Sequence, residues 1–390
     1  MTFWGMCFGG IFGGWLSDRI GRKYGLMTMI AIFSTSQFIN IFTHSVYAFA
    51  FFRFMVGFGV IGMVVIAMVY MSEMMPAKTR GKYQALTIAA GTIGIPMCGI
   101  LAAVIVPLTP HAWRIMFIIG SLGILLIPLG RSWLKESPRW LVSKGRLEEA
   151  EAIVSECMGY PCDLSEQLKT VSAKPVSTME ALKIMFSKGY RTSTVVLLLL
   201  AMGITVGLFY LANWGTTFLL DYGWVYSLAI MMGALSAIGT PIGDIFASII
   251  SDRGGRKTPI VICLLVGSVL TIAMALAVHS VVGYTLITFL RCVFVCGAMT
   301  IMWTYLAESF PTKIRSNVTG IIFSSARAIT AAVTFTVPII YGAYGLLGIQ
   351  TANAMFFLIP AVIVLFFGKR TAQKSLEEIE AEAEAISAQQ

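Results

Sequence analysis

Gly14-Trp15-Leu16-Ser17-Asp18-Arg19-Ile20-Gly21-Arg22-Lys23 is the stretch that decides the fold, because a close copy of it occurs about 234 residues further along the chain. The copy reads Ser248-Ile249-Ile250-Ser251-Asp252-Arg253-Gly254-Gly255-Arg256-Lys257. A second set of residues repeats at almost the same offset: Tyr70, Glu73, Pro76, Lys78 and Arg80 match Tyr305, Glu308, Pro311, Lys313 and Arg315. Two unlinked motifs with one offset indicate that the chain consists of two copies of one unit.

The composition indicates a membrane protein. Hydrophobic residues make up 57% of the chain and charged residues 12%, at a mean hydropathy of +0.82, whereas a soluble globular domain carries roughly 25% charged residues. Apolar stretches of ~20 residues, long enough to cross a bilayer, recur throughout. They predict about eleven transmembrane helices, near 1–17, 24–43, 46–74, 83–107, 113–134, 192–220, 225–250, 258–279, 282–307, 316–343 and 347–368. A duplicated apolar unit is typical of transporters that work by alternating access.

The basic residues predict the orientation of these helices. The formal net charge is +9, yet nearly all lysines and arginines fall on alternate connections between the spans. Only Arg114 falls on the opposite connections, while Arg53, Arg291 and Arg327 fall within spans. By the positive-inside rule, the basic connections and the tail after Lys369 are cytoplasmic, which places the chain in the plasma membrane as a multi-pass protein. Topology explains the basic charge, and we expect no nucleic-acid partner.

Neither the cysteines nor the histidines predict a metal site or a disulfide framework. Most of the seven cysteines fall within spans, where cysteine behaves as a small apolar residue. Cys157 and Cys162 fall on the reducing cytoplasmic side, with poor spacing for zinc and no nearby histidine. The sequence also lacks a Gly-rich phosphate loop and a hydrolase motif. We therefore expect no enzyme activity, no cofactor and no metal.

The longest soluble segment separates the two copies and sets the predicted domains. These are an N-terminal bundle at 1–134, a cytoplasmic linker at 135–190, a C-terminal bundle at 191–368 and a cytoplasmic tail at 369–390. Within the linker, residues 146–158 alternate apolar and acidic positions with helical spacing, which predicts a short amphipathic helix.

Five classes of motif, in a fixed order, carry a family resemblance. They are both Asp-Arg-x-Gly-Arg loops, both Tyr-x-x-Glu-x-x-Pro-x-x-x-Arg segments, Arg53-x-x-x-Gly57-x-Gly59, Glu136-Ser137-Pro138-Arg139-Trp140-Leu141, and Lys374-Ser375-Leu376-Glu377-Glu378-Ile379. Over nearly its whole length the chain resembles major facilitator superfamily transporters of the sugar-porter-like group, which includes metabolite:proton symporters. The resemblance implies an all-α integral membrane protein with the major facilitator fold, in which two pseudo-symmetric helix bundles, here five plus six transmembrane helices, surround a midplane cavity.

Charged residues at the cytoplasmic helix ends are candidates for a gate. Asp18 can cap a helix and pair with Arg22 or Arg80. Similar pairs are expected between Glu73 and Arg80 and between Glu136 and Arg139. With their counterparts in the second half, these residues would form ionic latches between the bundles that hold the inward face shut: Asp18, Arg22, Glu73, Arg80, Glu136, Arg139, Asp252, Arg256, Glu308 and Arg315. Alternatively, the charges only set the topology and end helices.

Charges inside the membrane are costly, so each one is a functional-site hypothesis. Asp244 is the only acid deep in a predicted span, and a protonatable carboxylate there could carry a coupling proton. Alternatively, Asp244 is a fixed partner of an arginine or lies close enough to the interface to stay hydrated. In the proton-coupled members of the group that the chain resembles, the arginine matching Arg53 works beside an acid on the first helix.

Arg327 is the candidate for binding a substrate. Its surroundings resemble those of the group's transporters of aromatic acids and other organic anions, where an arginine at this place faces the cavity and can receive a carboxylate. Arginine suits that task because it stays charged and binds carboxylates bidentately. The alternative is an internal salt bridge, for example with Asp244.

Aromatic and polar residues complete the candidate substrate site. Trp303 matches the family's cavity tryptophan. Aromatic and polar contacts could also come from Phe209, Tyr210, Asn213 and Trp214, although Tyr210 and Trp214 could equally belong to an interfacial aromatic belt. The glutamines with which sugar porters read hydroxyls are missing, and Ile88 stands at one of their positions. We therefore predict a proton-coupled carrier of a small organic or aromatic acid, with a sugar or polyol symporter, or a truncated non-transporting receptor or remnant, as alternatives.

The partners expected for such a carrier are the small-molecule substrate, the coupling proton and membrane lipid, and we expect it to be a monomer. The repeat also predicts that the first half is shortened. Asp252 maps onto Asp18, but the span that begins near Thr192 then has no counterpart after Met1. The helix at 1–17 would rise about 25 Å, less than the ~30 Å hydrocarbon core. We expect that the family's first helix is lacking, through a start codon assigned too late or a real deletion.

The charge distribution generates a prediction about topology. Single cysteines placed in the loops that hold Arg22, Lys144 and Arg256 should resist an impermeant thiol reagent in intact cells and react after lysis. A cysteine placed beside Arg114 should react from outside and is the matched control. Labelling of both the Arg22 and the Arg256 loops from outside would contradict the predicted orientation.

Overall fold

The computed structural model describes residues 1–75, 80–160, 164, 178–212, 214–254, 256–310 and 314–368. Within these ranges the regular structure is helical throughout, with no strand. Several predicted positions lie outside the described residues, namely Lys78, Cys162, Asn213, Lys313 and the tail from residue 369, together with the side chains of Arg80, Asp252 and Arg315.

The helices follow the predicted apolar spans. The first half and the linker contain α1 Thr2–Ile20, α2 Arg22–Ile39, α3 Val46–Met74, α4 Arg80–Ile105, α5 Trp113–Ser121, α6 Leu126–Trp133, α7 Pro138–Ser143, α8 Leu147–Met158 and α9 Thr178–Met185. The second half contains α10 Arg191–Phe209, α11 Gly215–Asp221, α12 Tyr226–Ala237, α13 Gly239–Gly254, α14 Lys257–Leu276, α15 Val281–Ser309, α16 Arg315–Val333 and α17 Val337–Phe367.

Nine stretches of the described residues are long and apolar enough to cross a membrane. The longest, Asn317–Phe367, has 51 residues and covers two predicted spans. Its helix is broken at Gly345, with φ of 65° and ψ of −162°, at the place where the sequence separates the last two spans. Large apolar side chains such as Phe51, Val269 and Phe366 are exposed, as expected where lipid replaces water. The chain is a multi-pass membrane protein, and the division into five plus six helices stays a prediction.

The internal repeat is visible in the helix boundaries. Helices α3 and α15 each have 29 residues, and their first residues, Val46 and Val281, are separated by about 235 positions. The same offset relates the first residues of α2 and α14, Arg22 and Lys257. Helix α14 begins one residue after Arg256, the motif residue that matches Arg22, so matching helices begin within one residue of each other in the two halves.

Contacts divide the chain into two compact units. Unit 1 comprises Met1–Gln84 and Arg114–Pro175, and unit 2 comprises Ala85–Trp113 and Val176–Gln390. The domain boundaries predicted from the sequence, which follow the soluble linker, stay a prediction.

In unit 1, glycines allow α1 to pack closely against α3. Gly5, Gly9 and Gly13 are buried on one face of α1. A Cβ atom on Gly9 would lie closer than 3.0 Å to the backbone of Phe58. An added Cβ at Gly14, by contrast, meets nothing within 4 Å. Gly14 lies one residue off the packed face, because residues four apart share a helix face.

In unit 2, the core consists of two clusters of buried side chains. The larger is built mainly from α10, α14, α15, α16 and α17 and includes Leu200, Leu264, Val295, Val318 and Phe357. The smaller lies around α11 and the adjacent helix ends and includes Tyr210, Phe218, Trp224, Val337 and Ile349. This division matters for function, because it separates aromatic residues that the sequence had grouped together.

The packing of α1 generates a prediction about stability. Gly9→Ala should destabilise the protein by about 1–3 kcal/mol, the usual effect of overpacking, because the new methyl group meets backbone atoms of α3 that cannot rotate away. Gly14→Ala is the matched control and should leave the thermal unfolding midpoint in detergent unchanged or slightly higher, since alanine favours helix. Equal midpoints for the two variants would contradict the packing described here.

Candidate functional site

Arg327, on α16, is a buried cation, and no acidic side chain pairs with it among the described residues. The residue is 6% exposed, and its Nε and Nη1 atoms have no hydrogen-bond partner among the described residues. The guanidinium carbon lies 4.5 Å from the ring centroid of Phe209 and 5.2 Å from that of Phe323. Cation–π contacts of this kind partly replace lost hydration, but they leave the N–H donors available.

Trp303 extends the aromatic surface beside Arg327. Its ring stacks on Phe323, with centroids 4.8 Å apart and an interplanar angle of 26°. Trp303 belongs to α15, Phe323 to α16 and Phe209 to the end of α10. Three helices of unit 2 therefore contribute aromatic rings to the surroundings of one guanidinium.

The other predicted substrate residues that the structure describes point into a different cluster. Tyr210 is 1% exposed, and its hydroxyl lies 2.9 Å from Thr336 Oγ1. Trp214 stacks on Phe218, and both Tyr210 and Trp214 pack in the smaller core cluster of unit 2. Neither is in ring contact with Arg327, because consecutive residues at a helix end project in different directions.

Asp244, on α13, is buried among hydroxyl groups. It is 7% exposed. Thr300, on α15, donates to its Oδ1 at 2.6 Å, and Thr92 Oγ1, on α4, lies 3.1 Å from its Oδ2. The described residues show no ion pair between Asp244 and Arg327, which was the alternative expected from the sequence. The partners are instead the two threonines, which the sequence did not indicate because they lie far away along the chain.

Two further arginines lie inside predicted spans. Arg53 has its guanidinium carbon 5.7 Å from the ring centroid of Phe117, and it makes no ion pair within the ranges that the structure describes. Arg291, on α15, has buried Nε and Nη1 atoms without a hydrogen-bond partner in the same ranges. The sequence offered Arg53 as a proton-coupling residue but assigned no role to Arg291.

The cytoplasmic motif of unit 1 is built around Arg22. Its Nη2 lies 2.9 Å from Glu73 Oε1 and its Nε 3.0 Å from Oε2, a bidentate pair, and its Nη1 lies 2.5 Å from Asp18. The sequence had offered Arg80 as the partner of Glu73. The Arg80 side chain lies outside the described residues, so that pair stays a prediction. Arg22 begins α2 directly after the tight turn at Gly21, whose φ is 100°.

The second copy of the motif repeats this ion pair in unit 2. Arg256 Nη2 lies 2.8 Å from Glu308 Oε1, and Arg256 Nε lies 3.0 Å from the same oxygen. Both bridges join the start of one helix to the end of the helix after it: α2 to α3 and α14 to α15. Bidentate geometry is the stronger form of an arginine–carboxylate pair.

Glu136 serves α2 rather than Arg139. Its carboxylate accepts hydrogen bonds from the backbone N–H groups of Arg22 at 2.8 Å, Lys23 at 3.2 Å and Ser137 at 2.9 Å, while Arg139 is exposed. The first N–H groups of a helix lack partners and favour negative charge. The predicted Glu136–Arg139 pair is thus replaced by a cap on the helix that carries Arg22.

A cleft of about 400 Å³ lies beside this cap, between α2 and the linker helices. Its rim charges are largely paired with one another. Lys135 pairs with Glu156, and Arg146 donates to Glu149 at 2.7 Å. That hydrogen bond lowers the pKa of the exposed Glu149 carboxyl. Paired charges on both sides leave this cleft without a clear preference for a charged ligand.

Comparisons with known proteins support the fold and the class of function. The model of a family described as "Sugar (and other) transporter" matches residues 1–383. A putative metabolite transport protein, YyaJ of Bacillus subtilis, is 29% identical and is covered over 84% of its length by 96% of this chain. The niacin transporter NiaP of Acinetobacter baylyi is 25% identical, with 97% of this chain and 85% of NiaP covered.

Solved structures agree. The proton:xylose symporter XylE from E. coli, a major facilitator superfamily protein, matches 97% of this chain and 87% of its own with a TM-score of 0.73 at 21% identity. This likeness confirms the major facilitator fold. The transport family, the apolar helices and the duplicated motifs agree with one another. The chain belongs to the sugar (and other) transporter family, whose members are transporters rather than enzymes.

Proposed function

We propose that this protein is a secondary active transporter that carries a small organic acid across the plasma membrane by alternating access, driven by protons. The observation that carries the proposal is Arg327, whose charge is buried and has no acidic partner among the described residues. An unpaired buried charge is costly. Such a charge is best tolerated where a ligand of opposite charge binds to it.

The surroundings of Arg327 favour a flat, apolar acid. A carboxylate receives N–H bonds from a guanidinium, and the Nε and Nη1 atoms of Arg327, which have no partner among the described residues, are two donors on different edges of the group. Phe209, Phe323 and Trp303 offer ring faces to the remainder of the ligand. A sugar would need several hydroxyl-reading polar groups instead.

The relatives support both the acid and its main alternative. NiaP is named a niacin transporter, and niacin is an aromatic acid, which agrees with the ring-lined arginine. XylE is named a proton:xylose symporter, which supports a neutral sugar but also supports proton coupling. We favour the acid because of Arg327: a neutral sugar provides no negative charge to balance its buried guanidinium.

Asp244 is the proposed proton acceptor. Burial disfavours the charged form of a carboxyl group, and Asp244 has hydroxyl neighbours rather than a cation. Arg53 is the second residue proposed for coupling, since it too lies in a span without an ion pair among the described residues. For the cytoplasmic gate, we propose that the Arg22–Glu73 and Arg256–Glu308 bridges hold their helix ends together and break when the inward side opens.

The anion site generates a prediction on uptake. In proteoliposomes with an inward proton gradient, Arg327→Ala should lower uptake of niacin or benzoate about 100-fold, the effect of removing one partner of a buried charge pair. Arg327→Lys should also be strongly impaired, because a point charge replaces a planar fork. Arg146→Ala, at an exposed pair, is the matched control.

The same assay separates the alternatives. Each variant is first quantified in the membrane, so that loss of protein is not mistaken for loss of transport. If wild-type protein accumulates xylose or myo-inositol instead, and Arg327→Ala accumulates them equally well, Arg327 does not bind substrate and the acid is the wrong class. A wild-type protein that binds such ligands without accumulating any would be a receptor.

The proton site generates a prediction on coupling. Asp244→Asn cannot change its charge state. The proton gradient should therefore no longer drive accumulation of substrate, while exchange of substrate across the membrane continues. The measurement is uptake with and without a protonophore. Asp221→Asn, an exposed acid that accepts a hydrogen bond from Tyr341, is the matched control. Gradient-driven accumulation by Asp244→Asn equal to that of the wild type would rule out Asp244 as the proton carrier.

A further inference from the structure

Thr92 has more hydrogen-bond neighbours than protons. Its Oγ1 lies 3.0 Å from the Ala89 carbonyl oxygen and 3.1 Å from Asp244 Oδ2. A threonine hydroxyl carries one proton and cannot donate to both oxygens at once. If Thr92 donates to the Ala89 carbonyl, the bond to Asp244 needs a proton on Oδ2.

The other carboxylate oxygen is already occupied. Asp244 Oδ1 accepts a short hydrogen bond of 2.6 Å from Thr300. With a proton on Oδ2, all three groups are satisfied in one direction: Thr300 donates to Oδ1, Oδ2 donates to Thr92, and Thr92 donates to Ala89. When the proton leaves Oδ2, the Thr92 hydroxyl has two options. It can rotate so that it donates to the Asp244 carboxylate instead of the Ala89 carbonyl, or it can keep its bond to Ala89, in which case Oδ2 of the buried carboxylate receives no hydrogen bond from Thr92.

Asp244 and Thr92 both lie at weak points of their helices. Helix α4 contains Pro96, which has no N–H to bond the carbonyl of Thr92, four residues earlier. Helices α12 and α13 are separate pieces divided at Ile238, and Asp244 follows this break by less than two turns. The Thr92–Asp244 hydrogen bond therefore joins α4 to α13 at places where each helix lacks some of its own backbone hydrogen bonds.

Helix α4 contacts both sides of that break. On one side Thr92 meets Asp244 of α13. On the other side Gly99 packs so closely on α12 that an added Cβ would lie 2.7 Å from the Ala234 side chain. A change in the Thr92–Asp244 hydrogen bond can therefore alter how α4 packs against α12 and α13, the two pieces of the broken helix.

We propose that Thr92 is a positioning residue that responds to the protonation state of Asp244 and transmits it to helix α4. The proton binds at Asp244 Oδ2 and leaves from it, while Thr92 keeps its own proton and only turns its hydroxyl. This inference rests on the proposed proton-coupled function. The inference adds two details to that function, namely which oxygen atom is protonated and which helix responds.

Other titratable groups near Asp244 are few among the described residues. On α15, Cys296 interacts electrostatically with Asp244, and Arg291 lies further along the same helix. From Leu86 to Ile105, α4 has no charged residue and only Cys98 as a titratable one, and α12 carries only Tyr226. On α14 the nearest candidates are Lys257, at the start of the helix, and Cys263. No cation among them replaces the proton as the partner of the carboxylate.

Infrared difference spectroscopy on the full-length protein in nanodiscs, titrated with acid, tests the protonated oxygen without a ligand. The wild type should show the carbonyl band of a carboxylic acid, and Asp244→Asn should lack it. Thr92→Val should shift this band to higher frequency, because the acid proton loses its acceptor, and Thr92→Ser should restore it. Thr351→Val removes a hydroxyl that bonds only to Leu347 and should leave the band unchanged.

Hydrogen exchange of α4 in the same samples tests the transmission. In the wild type, exchange between residues 86 and 96 should differ roughly fivefold between protonated and deprotonated protein, the effect of one hydrogen bond. In Thr92→Val and in Asp244→Asn this difference should vanish. If Asp244 titrates but Thr92→Val leaves both the band and the exchange unchanged, the role of Thr92 is wrong and the proton site stands. If Asp244 never titrates, both are wrong.

Discussion

The cost of a charge inside a membrane is the constraint on which the rest of this structure depends. Water is absent from the hydrocarbon core, so a charged group there needs a partner, a proton or a ligand. The chain carries few such groups, and their partners differ between the helix ends and the middle of the spans. At the helix ends, arginines donate through two nitrogens each to a glutamate. In mid-span, Arg327 has aromatic rings but no anion, and Asp244 has hydroxyls but no cation, among the residues that the structure describes. Those two residues are therefore where ligand and proton are expected.

The paired charges show how duplication preserves an interaction. Arg22–Glu73 and Arg256–Glu308 join equivalent helices in the two halves. In unit 1 the geometry depends on a further acid, Glu136, because its carboxylate binds the N–H groups that begin α2 and so holds the backbone of Arg22 in place. Gly21 allows this approach, since its backbone takes a positive φ and a side chain there would collide with Glu136.

Periodicity and composition were enough to predict the local features of the fold. The apolar spans after residue 21, the helix starts repeated to within one residue and the break near Gly345 appear, because they depend on local sequence and on the repeat. Prediction from the sequence failed where the partner of a single side chain decides. Glu136 was expected to pair with Arg139, and it caps α2 instead. Thr92, Thr300 and Phe323 carried no signal at all, since ordinary threonines and phenylalanines gain a role only when distant helices bring them beside a buried charge.

One turn of α15 brings the two proposed sites into relation. Thr300 donates to Asp244, and Trp303, three residues later, stacks on the ring of Phe323, which faces Arg327. Residues three apart lie on the same side of a helix, so the same stretch of backbone supports the carboxyl group and the aromatic surface. A proton that alters the Thr300–Asp244 bond and an anion that settles against Arg327 would both act on this turn. Coupling between proton and substrate therefore requires no long pathway through unit 2, because one rigid element already contacts the surroundings of both.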